Sequence, residues 1–203
     1  MCFIIEAEVA MTKKELRAAQ KKKLAALPKM AFTEEGELAA ARLVESALWQ
    51  RYKRVLIYLS MPDELDTAPL LERAFALKKE VYAPKVESDS SMRFFRVTQD
   101  VSSWVIGAFD IREPAGKEED VFNFESGPAL VISPGLAFDR SGNRIGRGKG
   151  FYDRFYEKLF KSSPESAICA LCMSCAIVDE VPVEQFDRKV NAICTKDFFM
   201  EIK

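Results

Sequence analysis

Short apolar runs recur along the chain, each followed by a longer stretch of mixed polarity, and this alternation sets the expected elements. Residues 55–59 (Val-Leu-Ile-Tyr-Leu), 81–83, 130–132 and 167–173 are apolar segments too short for a helix, and they are predicted as buried strands. Residues 92–97 are predicted as an edge strand. Helices are predicted over 12–27, from Thr33 to about residue 50, over 67–78 and over 150–161. Thr12 is placed to cap the first, which must end before Pro28, and Thr33 to cap the second. Strands alternating with helices predict an α/β fold with a largely parallel sheet covered on both faces. Ligands in such folds sit beyond the carboxyl ends of the strands, which directs attention to the loops after Leu59 and Ile132.

The second of those loops carries the strongest chemical signal. In residues 134–153, Gly146, Gly148 and Gly150 alternate with Arg147 and Lys149, and a helix then opens with Asp153 in its first turn. Glycines let backbone N–H groups turn inward around an anion, and the helix presents its positive end to the same point. Arg140 and Arg144 add side-chain charge. A solvated surface turn is the plain alternative, but irregular segments this long are uncommon and usually functional. The common phosphate fingerprints do not fit. A Walker A loop needs Gly where Asn143 stands and Ser or Thr where Gly150 stands, and a dinucleotide fingerprint starting at Gly146 needs Gly in place of Phe151.

Composition narrows the chemistry further. The 203 residues suit one full-sized domain, with 48% hydrophobic and 30% charged residues. Histidine is absent, which removes imidazole bases, His triads and His metal ligands together. The net charge of −1 gives no long-range pull toward nucleic acid or anionic membrane, so no such partner is expected. No stretch approaches the roughly 20 apolar residues of a membrane span. The first residues carry a short apolar patch followed by acids, unlike a secretory signal or an Arg-rich transit peptide. Residues 1–11 are therefore expected to be an extension and 12–203 a single domain. Five cysteines are read as reduced thiols of a cytoplasmic protein.

Weaker constellations have two readings each. Lys13 and Arg17 share a helix face and could grip phosphate or carboxylate, or be solvated like Lys21, Lys22 and Lys23. Glu64, in the loop after the first strand, is a candidate acceptor for substrate N–H groups or a plain loop acid, with Asp66 or Thr67 capping the next helix. Cys169, Cys172 and Cys175 have the spacing of part of an iron–sulfur ligand run, but position 179 is Asp, and their apolar neighbours favour buried thiols. Asp153 could hold the Mg²⁺ that accompanies a nucleotide triphosphate, and Asp187 is a second candidate metal carboxylate or a surface partner of Arg188.

From about residue 12 to 195 these segments together resemble the 5-formyltetrahydrofolate cyclo-ligase (methenyltetrahydrofolate synthetase) family. The resemblance lies in Lys13-x-x-Leu16-Arg17, Tyr58-Leu59-Ser60-Met61, Glu64-x-Asp66-Thr67 and Ile111-Arg112-Glu113-Pro114, then in the 134–153 segment and Val181-Pro182-x-Glu184-x-x-Asp187. It implies a three-layer α/β/α sandwich, a monomer, and ATP and Mg²⁺ as cofactors. It implies ATP binding by Lys13, Lys14, Arg17, Arg144, Gly146, Arg147, Gly148, Lys149, Gly150, Phe151, Tyr152 and Asp153. The folate pocket would use Arg17, Leu59, Glu64, Arg147, Gly148, Lys149, Gly150 and Phe151. Mg²⁺ would lie at Asp153 and Asp187, with Arg147 and Lys149 as the catalytic cations. Phe151 stands where the family often has Tyr, Phe186 at a position often polar, and Asn191 in place of a common acid.

The implied reaction closes 5-formyltetrahydrofolate to its 5,10-methenyl form with release of ADP and phosphate. Its nucleophiles belong to the folate, so a protein without histidine can perform it by alignment and charge neutralisation. A folate- or nucleotide-binding regulator on the same fold and an RNA-associated module using the first helix remain the competing readings.

Overall fold

The computed structural model describes residues 11–89, 91–185 and 187–202. The expected extension, apart from Met11, and Phe186 lie outside the described residues. The chain opens with three helices, α1 (Lys13–Ala25), α2 (Lys29–Val44) and α3 (Ala47–Arg51), followed by β1 (Arg54–Ile57), α4 (Ala68–Ala76), β2 (Glu80–Ser88) and β3 (Ser91–Arg96). A small ribbon, β4 (Val105–Ile106) with β5 (Arg112–Glu113), precedes β6 (Ala129–Ser133), and a second ribbon pairs β7 (Ala137–Phe138) with β8 (Arg144–Ile145). Then come α5 (Phe151–Ser162), β9 (Ala167–Leu171), β10 (Ala192–Cys194) and β11 (Phe199–Glu201).

Among the described residues the main sheet has seven strands in the order β11-β10-β9-β6-β1-β2-β3. Its five inner strands are parallel, and β3 and β11 run antiparallel at the two borders. The inner strands are buried on both faces. Val55 and Ile57 of β1, Leu130 and Ile132 of β6, and Cys169 and Leu171 of β9 pack with α1–α4, whereas Leu56, Val131 and Ile168 pack with Phe155, Tyr156 and Leu159 of α5. Helices therefore cover both faces of a mostly parallel sheet, as predicted. The Cys169 and Cys172 thiols fall into opposite cores, so the C-x₂-C-x₂-C spacing does not gather its sulfurs at one point.

Several boundaries differ from the sequence expectation, each for a local reason. Thr12 does cap α1, in a capping box with Glu15, but Thr33 lies inside α2, which begins after Pro28. The fixed φ of proline suits the residue entering a helix, and it starts the helix a turn earlier. The helix expected to reach residue 50 breaks after Val44, and the Ser46 hydroxyl accepts from Trp49 N–H at 3.1 Å to start α3. The strand expected at 81–83 extends to Ser88 because its outer half pairs with β3. The run expected over 167–173 leaves the sheet after Leu171. β10 and β11, three residues each, carry too short a pattern to be read.

At the β3 border the chain covers its own exposed edge: Phe122 N–H donates to Phe94 O at 2.8 Å, and Val121 bridges Phe95. On the other side of the molecule, Gly36 of α2 lets the loop after β1 lie directly on the helix. A Cβ there would stand 2.3 Å from the Asp66 carbonyl oxygen, a backbone atom held by an Asp66 N–H to Phe32 O bond of 3.2 Å. Alanine would gain about 1 kcal/mol in helix propensity, but the clash outweighs it. Gly36→Ala is expected to lose about 1–3 kcal/mol by overpacking, read as a lower urea midpoint, and an unchanged or higher midpoint would contradict this packing.

Candidate active site

A cleft of about 380 Å³ opens beyond the carboxyl ends of β1 and β6, where the topology places it. Its first wall is the loop after β1. The buried Tyr58 hydroxyl lies 3.1 Å from Leu65 O and 3.0 Å from Leu171 O, and Thr67 Oγ1 donates to Tyr58 O at 2.7 Å. These bonds tie both ends of the loop to the sheet and occupy Thr67, so the backbone N–H of Ala68 is instead taken by Asp66 Oδ1 at 2.9 Å. Within the loop, Glu64 N–H donates to Met61 O, and Met61 N–H donates back to Glu64 Oε2 at 3.1 Å. Leu59 and the Glu64 side chain face the cleft as a result.

The second wall is the glycine loop. Asp139, buried and without a role in the sequence reading, organises it by accepting from Ser141 N, Asn143 N, Asn143 Nδ2 and Val181 N at 2.8–3.0 Å. Arg144 is buried behind the loop, with its guanidinium 5.8 and 5.5 Å from the Tyr152 and Tyr156 ring centres. Its Nη2 donates to Asp153 Oδ1 at 2.5 Å and its Nη1 to Pro134 O at 3.3 Å, while its buried Nε has no hydrogen-bond partner among the described residues. Gly148 and Gly150 adopt φ of +99° and +67°, which a side chain would strain. Gly150 caps α5 without a side chain, so the first-turn N–H groups have neither an intrahelical acceptor nor a side-chain cap.

The third wall is α1 with Glu184 and Asp187. Arg17 Nε donates to Gly146 O at 3.0 Å, fastening the helix to the glycine loop. Lys13 Nζ pairs with Asp187 Oδ2 at 2.5 Å and Glu184 Oε2 at 3.2 Å. Lys14 is exposed and does not line the cleft, so the helix delivers Lys13 and Arg17 but not their neighbour. Arg144, Gly146, Arg147, Gly148, Lys149, Gly150, Phe151, Tyr152, Asp153, Leu59, Glu64 and Asp187 all line it.

A fourth wall was not foreseen. Pro84 and Val86 of β2, Met92 of β3, and Phe109, Ile111 and Glu113 from the β4–β5 ribbon close the far side. Glu113 was noticed only within a resemblance motif, and no periodicity ties residues 105–113 to the cleft. Burial pushes the Glu113 carboxyl above its ordinary range, against the pull of Val86 N–H and Lys85. Glu64 behaves alike: burial raises it, while Arg147 and Met61 N–H act the other way. Arg147 bridges the first two walls, with Nη2 2.6 Å from Asp63 Oδ1 and Nε 3.0 Å from Glu64 Oε1. Lys149 stands at the rim, largely exposed, 4.0 Å from Asp89.

The loop backbone, the helix start and the cations of the second and third walls suit an anion. Asp153 and Asp187 supply hard oxygen donors for a divalent cation, each already facing a positive side chain. Among the described residues no group of three or more Asp, Glu, His or Cys side chains forms a closed metal cage. A divalent ion here would take its remaining ligands from an anionic ligand and water.

The family model for the 5-formyltetrahydrofolate cyclo-ligase family matches residues 9–196. The chain belongs to this family. A probable 5-formyltetrahydrofolate cyclo-ligase of Schizosaccharomyces pombe is 30% identical over 198 residues, covering 93% of this chain and 97% of the relative. The mouse 5-formyltetrahydrofolate cyclo-ligase is 30% identical over 201 residues, covering 93% and 96%. The solved 5,10-methenyltetrahydrofolate synthetase of Aquifex aeolicus superposes with a TM-score of 0.79 at 26% identity, over 95% of this chain and 94% of that one. This member of the cyclo-ligase family is therefore an α/β enzyme with the synthetase fold. Its Asn191 lies apart from the acids: Asn191 Oδ1 accepts Ile168 N–H at 2.8 Å and Asn191 N–H bonds Ile168 O, stitching the amino end of β9.

The raised Glu64 carboxyl predicts a pH signature with a defined sign. Its contribution to stability is fully present below the unfolded value near 4.5 and is lost as pH rises through the higher folded value. The stability of wild type relative to Glu64→Gln should therefore fall as pH rises from about 4.5 upward, measured by urea unfolding across pH. A flat or rising difference would contradict the desolvated setting of Glu64.

Proposed function

We propose that this chain converts 5-formyltetrahydrofolate to 5,10-methenyltetrahydrofolate, with ATP cleaved to ADP and phosphate. The observation that carries the reading is the meeting, in one cleft, of an anion-cradling glycine loop with a buried carboxylate on the facing wall. Names of the relatives supply the substrate, and the wall chemistry supports the division of labour. The triphosphate lies along the Gly146–Gly150 backbone and the start of α5, beside Lys13, Arg17, Arg147 and Lys149. The pterin lies against Leu59 and Phe151, with Glu64 accepting its N–H groups.

In this reading the formyl oxygen attacks the γ-phosphorus and the bridging P–O bond breaks, releasing ADP. The N10 lone pair then attacks the activated formyl carbon, the C–O bond breaks, and phosphate departs as N10 loses its proton. Every nucleophile comes from the substrates. The protein holds the reacting atoms in line, offsets charge with Arg147 and Lys149, and excludes water with the apolar side chains of the fourth wall. Asp153 and Asp187 would hold Mg²⁺ together with phosphate oxygens, and the ion when bound offsets triphosphate charge. Arg144 supports the loop from behind through Asp153 and Pro134 O. Lys14 has no part at this cleft. Residues 12–203 form one catalytic unit that works as a monomer in the cytosol.

Purified protein with ATP, Mg²⁺ and 5-formyltetrahydrofolate should give the absorbance of the methenyl product, with ADP formed in step. Absence of both would remove the reading, and nucleotide binding without turnover would favour a regulator. Lys149→Ala should lower kcat by roughly 10²–10³-fold, as for other lost electrostatic donors. A rate near wild type would remove Lys149 from the transition state.

A further inference from the structure

Arg147 neutralises the wrong partners for its proposed task. Its guanidinium is expected to face phosphate, yet Nη2 is bound to Asp63 Oδ1 at 2.6 Å and Nε to Glu64 Oε1 at 3.0 Å. Glu64 is equally committed: its Oε2 accepts Met61 N–H at 3.1 Å, so both oxygens are engaged before any substrate N–H arrives. One ion-pair cluster thus occupies a principal group of each substrate's subsite at once. It also joins loops 84 residues apart in the chain, which only the cleft brings together.

We infer that Asp63 is a positioning residue that couples the two substrates, by holding Arg147 across Glu64 until one of them breaks the cluster. The inference deepens the function proposed above and rests on it. Phosphate drawing Arg147 off Glu64 frees that carboxylate for the folate, and folate taking Glu64 leaves the guanidinium held by Asp63 alone, so that phosphate has one carboxylate to displace instead of two. Whichever ligand binds first breaks the Arg147–Glu64 contact, and the second no longer has that contact to break. Two ligands that break one shared contact bind with positive cooperativity, and the coupling must be reciprocal.

Asp63 rather than Glu64 sets the strength of this hold. Its bond is the shorter of the two and reaches the terminal nitrogen, the geometry of a strong charge-assisted contact. Its side chain is 36% exposed against 13% for Glu64, so it stays solvated and charged when Glu64 turns to substrate. Among the described residues Asp63 has no other side-chain hydrogen bond that would serve the loop instead, whereas Glu64 also closes the turn at Met61.

The test is a calorimetric binding cycle with 5-formyltetrahydrofolate and a non-hydrolysable ATP analogue plus Mg²⁺, each titrated alone and in the presence of the other. In the wild type each ligand should tighten the other by roughly 5–50-fold, within the usual span of coupling energies. In Asp63→Asn the analogue alone should bind more tightly than to wild type, and the mutual tightening should fall to about 3-fold or less by the same relation. A purely structural role would weaken both ligands and leave their ratio intact. Melting curves check that the variant is folded, and Asp63→Glu, which restores the charge, should recover part of the coupling. Equal coupling in wild type and Asp63→Asn, or none in the wild type, would overturn the inference while leaving turnover, and hence the proposed function, standing. A wild type that binds neither ligand would remove both.

Discussion

Parallel pairing of β1 with β6, from Arg54 against Ala129 to Ile57 against Ile132, makes two distant loops leave the sheet side by side. The loop after β1 brings a buried carboxylate, and the loop after β6 brings glycines, cations and the start of a helix. Had these strands been antiparallel, the loops would emerge at opposite ends of the sheet. The cleft is therefore a product of strand direction, and strand direction follows from helical crossovers that only a sheet buried on both faces accommodates. The pattern of buried residues meets this demand, because alternate residues of β1, β6 and β9 feed two separate cores.

Charge at the site is arranged in opposed pairs rather than as an open basic patch. Lys13 faces Asp187 and Glu184, Arg144 faces Asp153, and Arg147 faces Asp63 and Glu64. Such an arrangement keeps these three cations close together without mutual repulsion, since each of them has a local counter-charge, whereas Arg17 is held by the Gly146 carbonyl. It also means that an incoming anion competes with protein carboxylates, and that affinity depends on how readily each pair opens. Arg144 differs from the other two in being buried between Tyr152 and Tyr156, where it braces the loop through Asp153 and Pro134 O.

Much of this was legible in the chain. Val55-Leu56-Ile57 and Leu130-Val131-Ile132 announce buried parallel strands, and the alternation of glycine with Arg147 and Lys149 announces an anion loop, because both signals are local. What was not legible depends on contacts across the fold. Nothing adjacent to Asp139 distinguishes it from a surface acid, yet it accepts four hydrogen bonds. The β4–β5 ribbon has only two residues per strand, so no period reveals it, and its Phe109 and Glu113 reach the cleft only through tertiary folding. Lys13 and Lys14 look alike in sequence, and only the helix rotation set by buried Leu16, Gln20 and Leu24 separates a cleft residue from a solvated one.

The borders of the sheet carry a consequence for the molecule in a crowded solution. An open strand edge is a template on which another chain can add its own backbone. Here one border is capped by residues 121–122 lying along β3, and the other ends in a strand of only three residues. A strongly apolar sheet thereby offers little open edge on which a neighbour could add a strand, however hydrophobic its five inner parallel strands are.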